Sequence, residues 1–365
     1  MRYPASRILL IATRQIGDVL LATPLLRSLR SAYPGAGIDV LAYRRTGGML
    51  EGNPDLDTLI EVDEHPSRDS YLALLRRILR RYDLAISTLQ GDRPSIYAFL
   101  AASRRVSIVP SLHWKAAWKR WLAHGWILLD NANTHTVTQN LRLTDVLAIP
   151  RHYEVVPPSR PDAVERLERL LPFSWRRQPY VVIHPFPMWR YKRWPHQAWR
   201  ELASHLNRRG YWVVLSGGPV EEECAYVRAL ADSLALGSVV DLAGQLSFGE
   251  LAELLRSCAC YVGPDTSVTH LAAACGAPTV AIYGPTNPVK WGPWPAGYTL
   301  EQSPYTHRGN WQRQGNVLLL QGLAPCVPCH QEGCERHKKS YSHCLDQLPA
   351  ARVIAGVESL LVGPT

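Results

Sequence analysis

Apolar runs of strand length alternate with amphipathic helical patterns along this chain, and the alternation occurs twice. In the first half the strand-like runs are RILLIA, GIDVLAY and DLAIST, and helical patterns cover residues 18–32 and SYLALLRRILRRY. In the second half the runs are YVVIHP, YWVVLSGGP, CAYVGP and PTVAIYG, again with helical patterns between them. Strands interleaved with helices pair in parallel. The sequence therefore predicts an α/β protein with two doubly wound domains.

A proline-rich segment, AIPRHYEVVPPSRPDAVERL, separates the two halves. The length of 365 residues suits two domains of ordinary size. We predict an N-terminal domain over residues 1–155, a linker over 156–178, a C-terminal domain over 179–349 and a final helix over 350–365. Because ligands bind where the carboxyl ends of parallel strands meet, we expect the functional site in a cleft between the domains.

The chain carries a surplus of positive charge, with 40 Lys and Arg residues against 31 Asp and Glu residues, a net charge of +9. The surplus indicates an anionic partner, such as a phosphorylated ligand, a membrane surface or a nucleic acid, although it can also serve solubility alone. No stretch approaches the roughly 20 apolar residues of a membrane span, and the N-terminal apolar run is too short for a signal peptide. We therefore expect a cytoplasmic protein.

Polar residues follow the strand CAYVGP, where the next helix begins. Asp265, Thr266 and Ser267 open that helix, and His270 lies one turn further on. The N–H groups and the positive dipole end of a helix start suit a diphosphate. The alternative is that one of these side chains only caps the helix.

Two upstream loops favour the nucleotide interpretation. The loop after YVVI carries Arg190, Lys192 and Arg193, and cations at the carboxyl end of a strand bind phosphates. The glycines of SGGPVEEE let the backbone approach a ligand closely. Glu221 or Glu222 could then accept hydrogen bonds from ribose hydroxyls, the alternative being a solvated helix start.

Three separated motifs, IGDVLLATPLLRSLR, YKRWP and GPDTSVTHLAAACGAPTVAIYGPTNP, make the chain resemble the bacterial ADP-heptose:lipopolysaccharide heptosyltransferases. The resemblance covers nearly the whole chain, and the segments WGPWP and HTVTQNL resemble the second- and third-heptose branches. It implies an inverting transferase of glycosyltransferase family 9 with the GT-B fold, two Rossmann-like domains facing across a cleft. Heptose would pass from ADP-L-glycero-D-manno-heptose to a lipid A-core acceptor of lipopolysaccharide at the inner face of the cytoplasmic membrane. No cofactor is required, and no nucleic acid takes part.

The resemblance also assigns roles to individual residues. Asp18, in TRQIGDVL, matches the catalytic base, which takes a proton from the attacking hydroxyl on the face opposite the leaving group. The alternative is that Asp18 only caps its helix. The other residues of that stretch assigned to the acceptor side or its loop are Thr13, Arg14 and Gly17. The donor-binding matches are Lys192, Glu221, Leu246, Asp265, Thr266, Ser267 and His270. The fixed donors at Lys192 and the helix start could replace a divalent metal. Pro187 and Met188 depart from the family, which often has small hydroxyl residues just before the lysine.

The segment LHWKAAWKRWLAHGW places Trp114, Trp118 and Trp121 on one helical face, flanked by Lys115, Lys119 and Arg120. Tryptophan with cations is the composition of a helix that lies on a membrane surface. The alternative is that the tryptophans pack into the core of the first domain.

Cysteines and acidic residues offer two candidate metal sites. Cys326 and Cys329 form a C-x-x-C motif, and with Cys334 and Cys344 they could bind a structural zinc, the alternatives being reduced thiols or a disulfide. The triplet DLD, residues 55–57, resembles a metal-binding DxD but lies far from the nucleotide half.

Two other functions also stay open: a GT-B transferase for another nucleotide sugar, and a non-catalytic nucleotide-binding protein associated with the membrane.

Overall fold

The computed structural model describes residues 4–110, 114–234 and 237–361. The chain divides into two compact units, each built around its own sheet. Unit 1 comprises Met1–Pro158 and Thr299–Ser303, and unit 2 comprises Ser159–Tyr298 and Pro304–Thr365. The chain therefore returns to unit 1 for a short segment before it completes unit 2.

Unit 1 alternates strands and helices as the sequence predicts. Its strands are β1 (Arg7–Ile11), β2 (Gly37–Tyr43), β3 (Thr58–Val62), β4 (Tyr82–Ser87), β5 (Ala102–Val109) and β6 (Gly125–Leu128). Its helices are α1 (Ile16–Leu20), α2 (Thr23–Ala32), α3 (Arg68–Ile78), α4 (Asp92–Ala101), α5 (Ala117–Leu122) and α6 (Thr136–Leu147). The strands form one parallel sheet in the order β3-β2-β1-β4-β5-β6. The chain direction across the sheet reverses between β1 and β4, so the switch point lies at the carboxyl end of β1.

The first helical segment is not the continuous helix predicted for residues 18–32. It divides into α1 and α2 because Pro24, the second residue of α2, has no N–H to donate to the carbonyl of Leu20. The hydroxyl of Thr23 donates to that carbonyl instead (2.7 Å). The same Thr23 oxygen accepts from the N–H of Val156 (2.9 Å), which ties the end of unit 1 to the break.

Unit 2 is a second α/β layer structure. Its strands are β7 (Tyr180–Ile183), β8 (Trp212–Leu215), β9 (Val239–Asp241), β10 (Cys260–Pro264), β11 (Thr279–Tyr283), β12 (Trp311–Gln314) and β13 (Val317–Gln321). Its helices are α7 (Ala163–Leu170), α8 (His196–Arg208), α9 (Glu221–Ser233), α10 (Phe248–Ser257), α11 (Ser267–Ala274), α12 (Pro288–Trp291), α13 (His343–Asp346) and α14 (Ala350–Leu361). The strand order is β12-β13-β11-β10-β7-β8-β9, with a switch point between β7 and β10. All neighbours are parallel except β12, which runs antiparallel to β13.

The central strands of unit 2 are apolar along their whole length because helices cover both faces of a parallel sheet. Every residue of β7, β10, β11 and β13 is buried. On one face, Trp199 and Leu202 of α8 and Val353 and Val357 of α14 join a single core cluster with these strands. This rigid layer fixes the loops at the carboxyl ends of the strands.

Two segments at the predicted domain boundaries belong to unit 2. From Ser159 onward the predicted linker, residues 156–178, lies in unit 2. It contains α7, which packs against α10 and places Arg166 Nε 3.4 Å from Glu250 Oε1. Helix α14, predicted as a separate C-terminal element, packs on α8 and on strands of the unit 2 sheet. Among the helices of the described residues, none has both the length and the hydropathy of a membrane span.

Candidate active site

An ion pair between a buried carboxylate and a partly exposed lysine lies at the switch point of unit 2, between the loops that follow β7 and β10. Lys192 Nζ lies 2.6 Å from Asp265 Oδ2, and the hydroxyl of Thr286, in the loop after β11, donates to the same oxygen (2.6 Å). Burial raises the pKa of Asp265, but Lys192, by charge and hydrogen bond, and Thr286 outweigh it and hold the pKa below its usual value. Three successive loops thus fix an ionised pair at one edge of the sheet.

The capping alternative applies to Thr266 but not to Asp265. Thr266 is the N-cap of α11, and its hydroxyl oxygen accepts from the N–H of Thr269 (3.4 Å). Asp265 cannot cap because its carboxylate is turned to Lys192. Ser267 is the first residue of α11 and is partly exposed. The first-turn N–H groups of a helix have no intrahelical acceptors, so this end of α11 can bind an anion.

His270 lies within the first turn of α11 and is only 6% exposed. Burial, against the opposing charge of Asp265 and with a smaller contribution from Lys192, lowers its pKa to about 4, so the imidazole is neutral at pH 7. Within the described residues its Nδ1 has no hydrogen-bond partner. A buried polar atom left unpaired costs on the order of 1–3 kcal/mol, so this nitrogen is suited to a polar ligand.

The glycine turn after β8 brings the chain close to its neighbours. A Cβ at Gly217 would lie 3.0 Å from Ala243 Cβ, so a side chain there would displace the loop after β9. Leu246, one of the donor-binding matches, lies in that loop, just before the α10 N-cap Ser247. The turn and Leu246 therefore lie at the carboxyl edge that also carries Lys192 and Asp265.

The carboxylate nearest this turn belongs to Glu223 rather than to Glu221. Glu221 is exposed at the start of α9, and Glu222 pairs with Arg193 (2.7 Å). Burial raises the pKa of Glu223, against the hydrogen bond from Gly218 and the charge of Arg193. The ribose role of Glu221 stays a prediction, with Glu223 as the better-placed neighbour.

Sequence reasoning missed three polar residues at the same edge: His184 after β7, Ser216 after β8 and Thr286 after β11. His184 Nδ1 lies 3.1 Å from Ser216 Oγ. Its Nε2 lies 3.7 Å from Glu223 Oε1, but burial lowers the pKa of His184 to about 4, so this contact is not an ion pair. The available signal was position: His184 and Ser216 directly follow the apolar residues of the runs YVVIHP and YWVVLSGGP, and Thr286 follows the glycine and proline after PTVAIY.

In unit 1, Asp18 lies just beyond the switch-point strand β1. It is the third residue of α1, whose N-cap is Gln15, so Asp18 is not the capping residue. Its side chain is 16% exposed, and Arg14 Nε lies 3.4 Å from its Oδ2. Thr13 is buried, and its hydroxyl has no partner among the described residues. Gly17 is half-buried beside Asp18. These residues form one polar group at the carboxyl edge of β1.

The two carboxylates of the DLD triplet are paired with arginines of unit 1. Arg27 Nε donates to Asp55 Oδ2 (2.9 Å), and Asp57 Oδ2 accepts from Arg30 (2.6 Å) and from the N–H of Ile38 (2.7 Å). The DLD triplet is therefore part of the packing of unit 1.

The four cysteines proposed for zinc are free thiols: Cys326, Cys329, Cys334 and Cys344. Burial, with a smaller contribution from the charges of the other three thiols, raises the pKa of Cys344 to about 12. Among the described residues, no group of three or more His, Cys, Asp or Glu side chains is arranged to hold a metal ion. Zinc binding stays a prediction.

The sequence of this chain is similar to those of known glycosyltransferases. The family described as "Glycosyltransferase family 9 (heptosyltransferase)" matches residues 71–317. "Lipopolysaccharide heptosyltransferase 3" of Escherichia coli (strain K12) is 29% identical over 95% of this chain and 96% of that protein. A second "Lipopolysaccharide heptosyltransferase 3" of Escherichia coli is 31% identical over 76% of this chain and 83% of its own length.

A solved structure shares the whole fold. The family 9 glycosyl transferase of Veillonella parvula superposes with a TM-score of 0.81 at 21% identity, covering 100% of this chain and 99% of that one. This confirms the predicted GT-B class, with two Rossmann-like units. Together with the family match, it shows that the chain is a glycosyltransferase and belongs to family 9, the heptosyltransferases.

Proposed function

We propose that this enzyme transfers heptose from ADP-L-glycero-D-manno-heptose to the inner core of lipopolysaccharide. Both Escherichia coli relatives are named as lipopolysaccharide heptosyltransferases. The observation that carries the proposal is the Lys192–Asp265 pair beside neutral His270 at the start of α11. A fixed cation, a helix N-terminus and a neutral buried imidazole are the groups that suit a nucleotide diphosphate.

In this reaction Lys192 and the N-terminus of α11 stabilise the departing ADP. The bond between the anomeric carbon and the β-phosphate oxygen breaks, and negative charge develops on that oxygen. Asp265 and Thr286 hold the Lys192 ammonium in place before the donor arrives, so little reorganisation is needed when the charge develops. Because these groups supply positive charge, we expect transfer without an added divalent metal.

Asp18 is the proposed base. The acceptor hydroxyl attacks the anomeric carbon from the face opposite ADP, its proton passes to the Asp18 carboxylate, and a single displacement inverts the configuration. Arg14, 3.4 Å from Asp18, orients the carboxylate. Thr13 and Gly17, which flank the pair, are proposed to contact the acceptor.

The proposed acceptor is the lipid A-core, so we place the reaction at the inner face of the cytoplasmic membrane. The test is mass spectrometry of a heptose-deficient lipopolysaccharide incubated with ADP-heptose, ADP-glucose or UDP-glucose. We expect the acceptor to gain one heptose with ADP-heptose only. Lys192→Gln should abolish the gain, while Lys339→Gln, an exposed lysine of the same unit, should preserve it.

Two outcomes would overturn the proposal. A mass gain with another nucleotide sugar only would make the enzyme a GT-B transferase of different donor specificity. Binding of ADP without transfer from any donor would indicate a non-catalytic nucleotide-binding protein.

A further inference from the structure

Four exposed tryptophans occur in the segment from residue 114, just before α5, to the end of β6. Trp114 is 76% exposed, Trp121 84% and Trp126 40%. Trp118 and Leu128 are exposed as well. We call these five residues the tryptophan patch. The interpretation in which Trp114, Trp118 and Trp121 pack into the core is therefore wrong.

The residues of the tryptophan patch that belong to α5 and β6 lie on the same side of the unit 1 sheet. A Cβ at Gly125 would lie 2.3 Å from the side chain of Val146, so the odd positions of β6 face α6. Side chains alternate along a strand, so Trp126 and Leu128 point to the opposite side. Helix α5 lies on that opposite side, where it contacts α4. Trp126 and Leu128, on the edge strand β6, therefore face the same side of the sheet as α5.

Basic residues predominate in the sequence around the patch, between Asp92, which is exposed, and Asp130. Residues 93–129 contain no Asp or Glu, and their basic residues are Arg93, Arg104, Arg105, Lys115, Lys119 and Arg120. Lys119 itself is 13% exposed and pairs with Asp92 (2.6 Å), so it is not the surface cation that the sequence suggested. The side chain of Lys115 lies outside the described residues. The segment as a whole is cationic and aromatic.

We propose that the tryptophan patch docks on an anionic phospholipid bilayer. Tryptophan rings favour the headgroup region, where one edge is apolar and the other wet, and neighbouring cations attract acidic lipids. Other large exposed apolar side chains of unit 2, such as Met188 and Trp311, stand apart from one another in sequence. The inference deepens the proposed function, because it supplies the surface through which a transferase reaches a lipid-anchored acceptor.

The test is cosedimentation with vesicles of phosphatidylglycerol and phosphatidylcholine, without donor or acceptor. We expect wild-type protein to bind these vesicles, to bind pure phosphatidylcholine less, and to dissociate as salt rises. Trp121→Ser/Trp126→Ser should lower the affinity about tenfold or more. The control is Trp311→Ser, which removes a ring of 43% exposure from the edge strand β12 and should change nothing. Unchanged melting temperatures show that the variants are folded.

Three results would overturn the docking surface. The wild type could fail to bind acidic vesicles, or the double variant could bind them as tightly as the wild type. The third is self-association of the wild type without lipid that the double variant abolishes. The last would identify the patch as an interface between copies of the chain. Because vesicle binding needs no turnover, failure here is distinguishable from failure of heptose transfer.

Discussion

The Lys192–Asp265 pair allows stability and donor binding to be separated. At a separation of 2.6 Å, two unit charges attract by about 6 kcal/mol at an effective dielectric constant near 20, and much of this offsets the loss of hydration on burial. Lys192→Met leaves a buried carboxylate without its counterion, for which we expect a loss of about 3–5 kcal/mol in the free energy of unfolding. Lys192→Met/Asp265→Asn removes both charges and should recover most of that loss.

The pH dependence of the single variant follows from the same pair. In the wild type the pKa of Asp265 is held below its usual value, so the pair stabilises the fold above the unfolded pKa of about 4 and loses this contribution as the pH falls through the folded pKa. In Lys192→Met burial acts unopposed by the lysine. The deficit should therefore be largest near neutral pH and shrink toward pH 4.

Urea unfolding of the wild type and both variants between pH 4 and pH 8 measures these differences, and calorimetric titration with ADP measures binding. We expect the double variant to regain stability without regaining ADP affinity. A single variant that loses less than about 1 kcal/mol, or a double variant as unstable as the single one, would refute the electrostatic reasoning.

Four further predictions concern other residues. Asp18→Asn should lower kcat by roughly 10²–10⁴-fold in the heptose transfer assay, whereas Asp69→Asn, in the first turn of α3, should not. Thr286→Val removes a hydrogen bond to a charged oxygen and should cost about 1.5–3 kcal/mol by urea unfolding; no loss would show that Lys192 alone holds Asp265. Thr23→Val breaks both bonds at the α1–α2 junction and should cost about 1–3 kcal/mol, while Thr23→Ser should keep them. If Cys326, Cys329, Cys334 and Cys344 form a zinc site, elemental analysis of the purified protein should find zinc. Protein that is folded and free of metal would contradict zinc binding.

The sequence predicted the strands that are buried on both faces, because helices covering a parallel sheet leave them apolar throughout. It missed β5 and β6 in unit 1, and β5 shows why: ASRRVSIV carries two arginines near its start and reads as polar until its neighbours are known. The β12–β13 hairpin was also missed, although Gly315, with φ of +53°, marks its turn. A single proline, Pro24, was enough to divide a helix whose apolar pattern is continuous.

The positions of Lys192, Asp265 and Asp18 were predictable because each belongs to the segment that leads from the carboxyl end of a strand into the next helix or turn. Sequence could not decide between neighbouring glutamates, because a helix start turns Glu221 to solvent and Glu223 toward the glycine turn. It also could not foresee that Asp265 would pair with Lys192 instead of capping α11, since that depends on two loops 73 positions apart in the chain meeting at the switch point.

The return of Thr299–Ser303 to unit 1 restricts how chimeras between relatives can be built. Glu301 in this segment pairs with Arg151, which also pairs with Asp145. A recombinant that exchanges only the first 158 residues would therefore set residues 299–303 of this chain against the unit 1 of another protein. A successful exchange has to carry both pieces, with two additional junctions. Units 1 and 2 of this enzyme are therefore not modules that a single crossover can exchange.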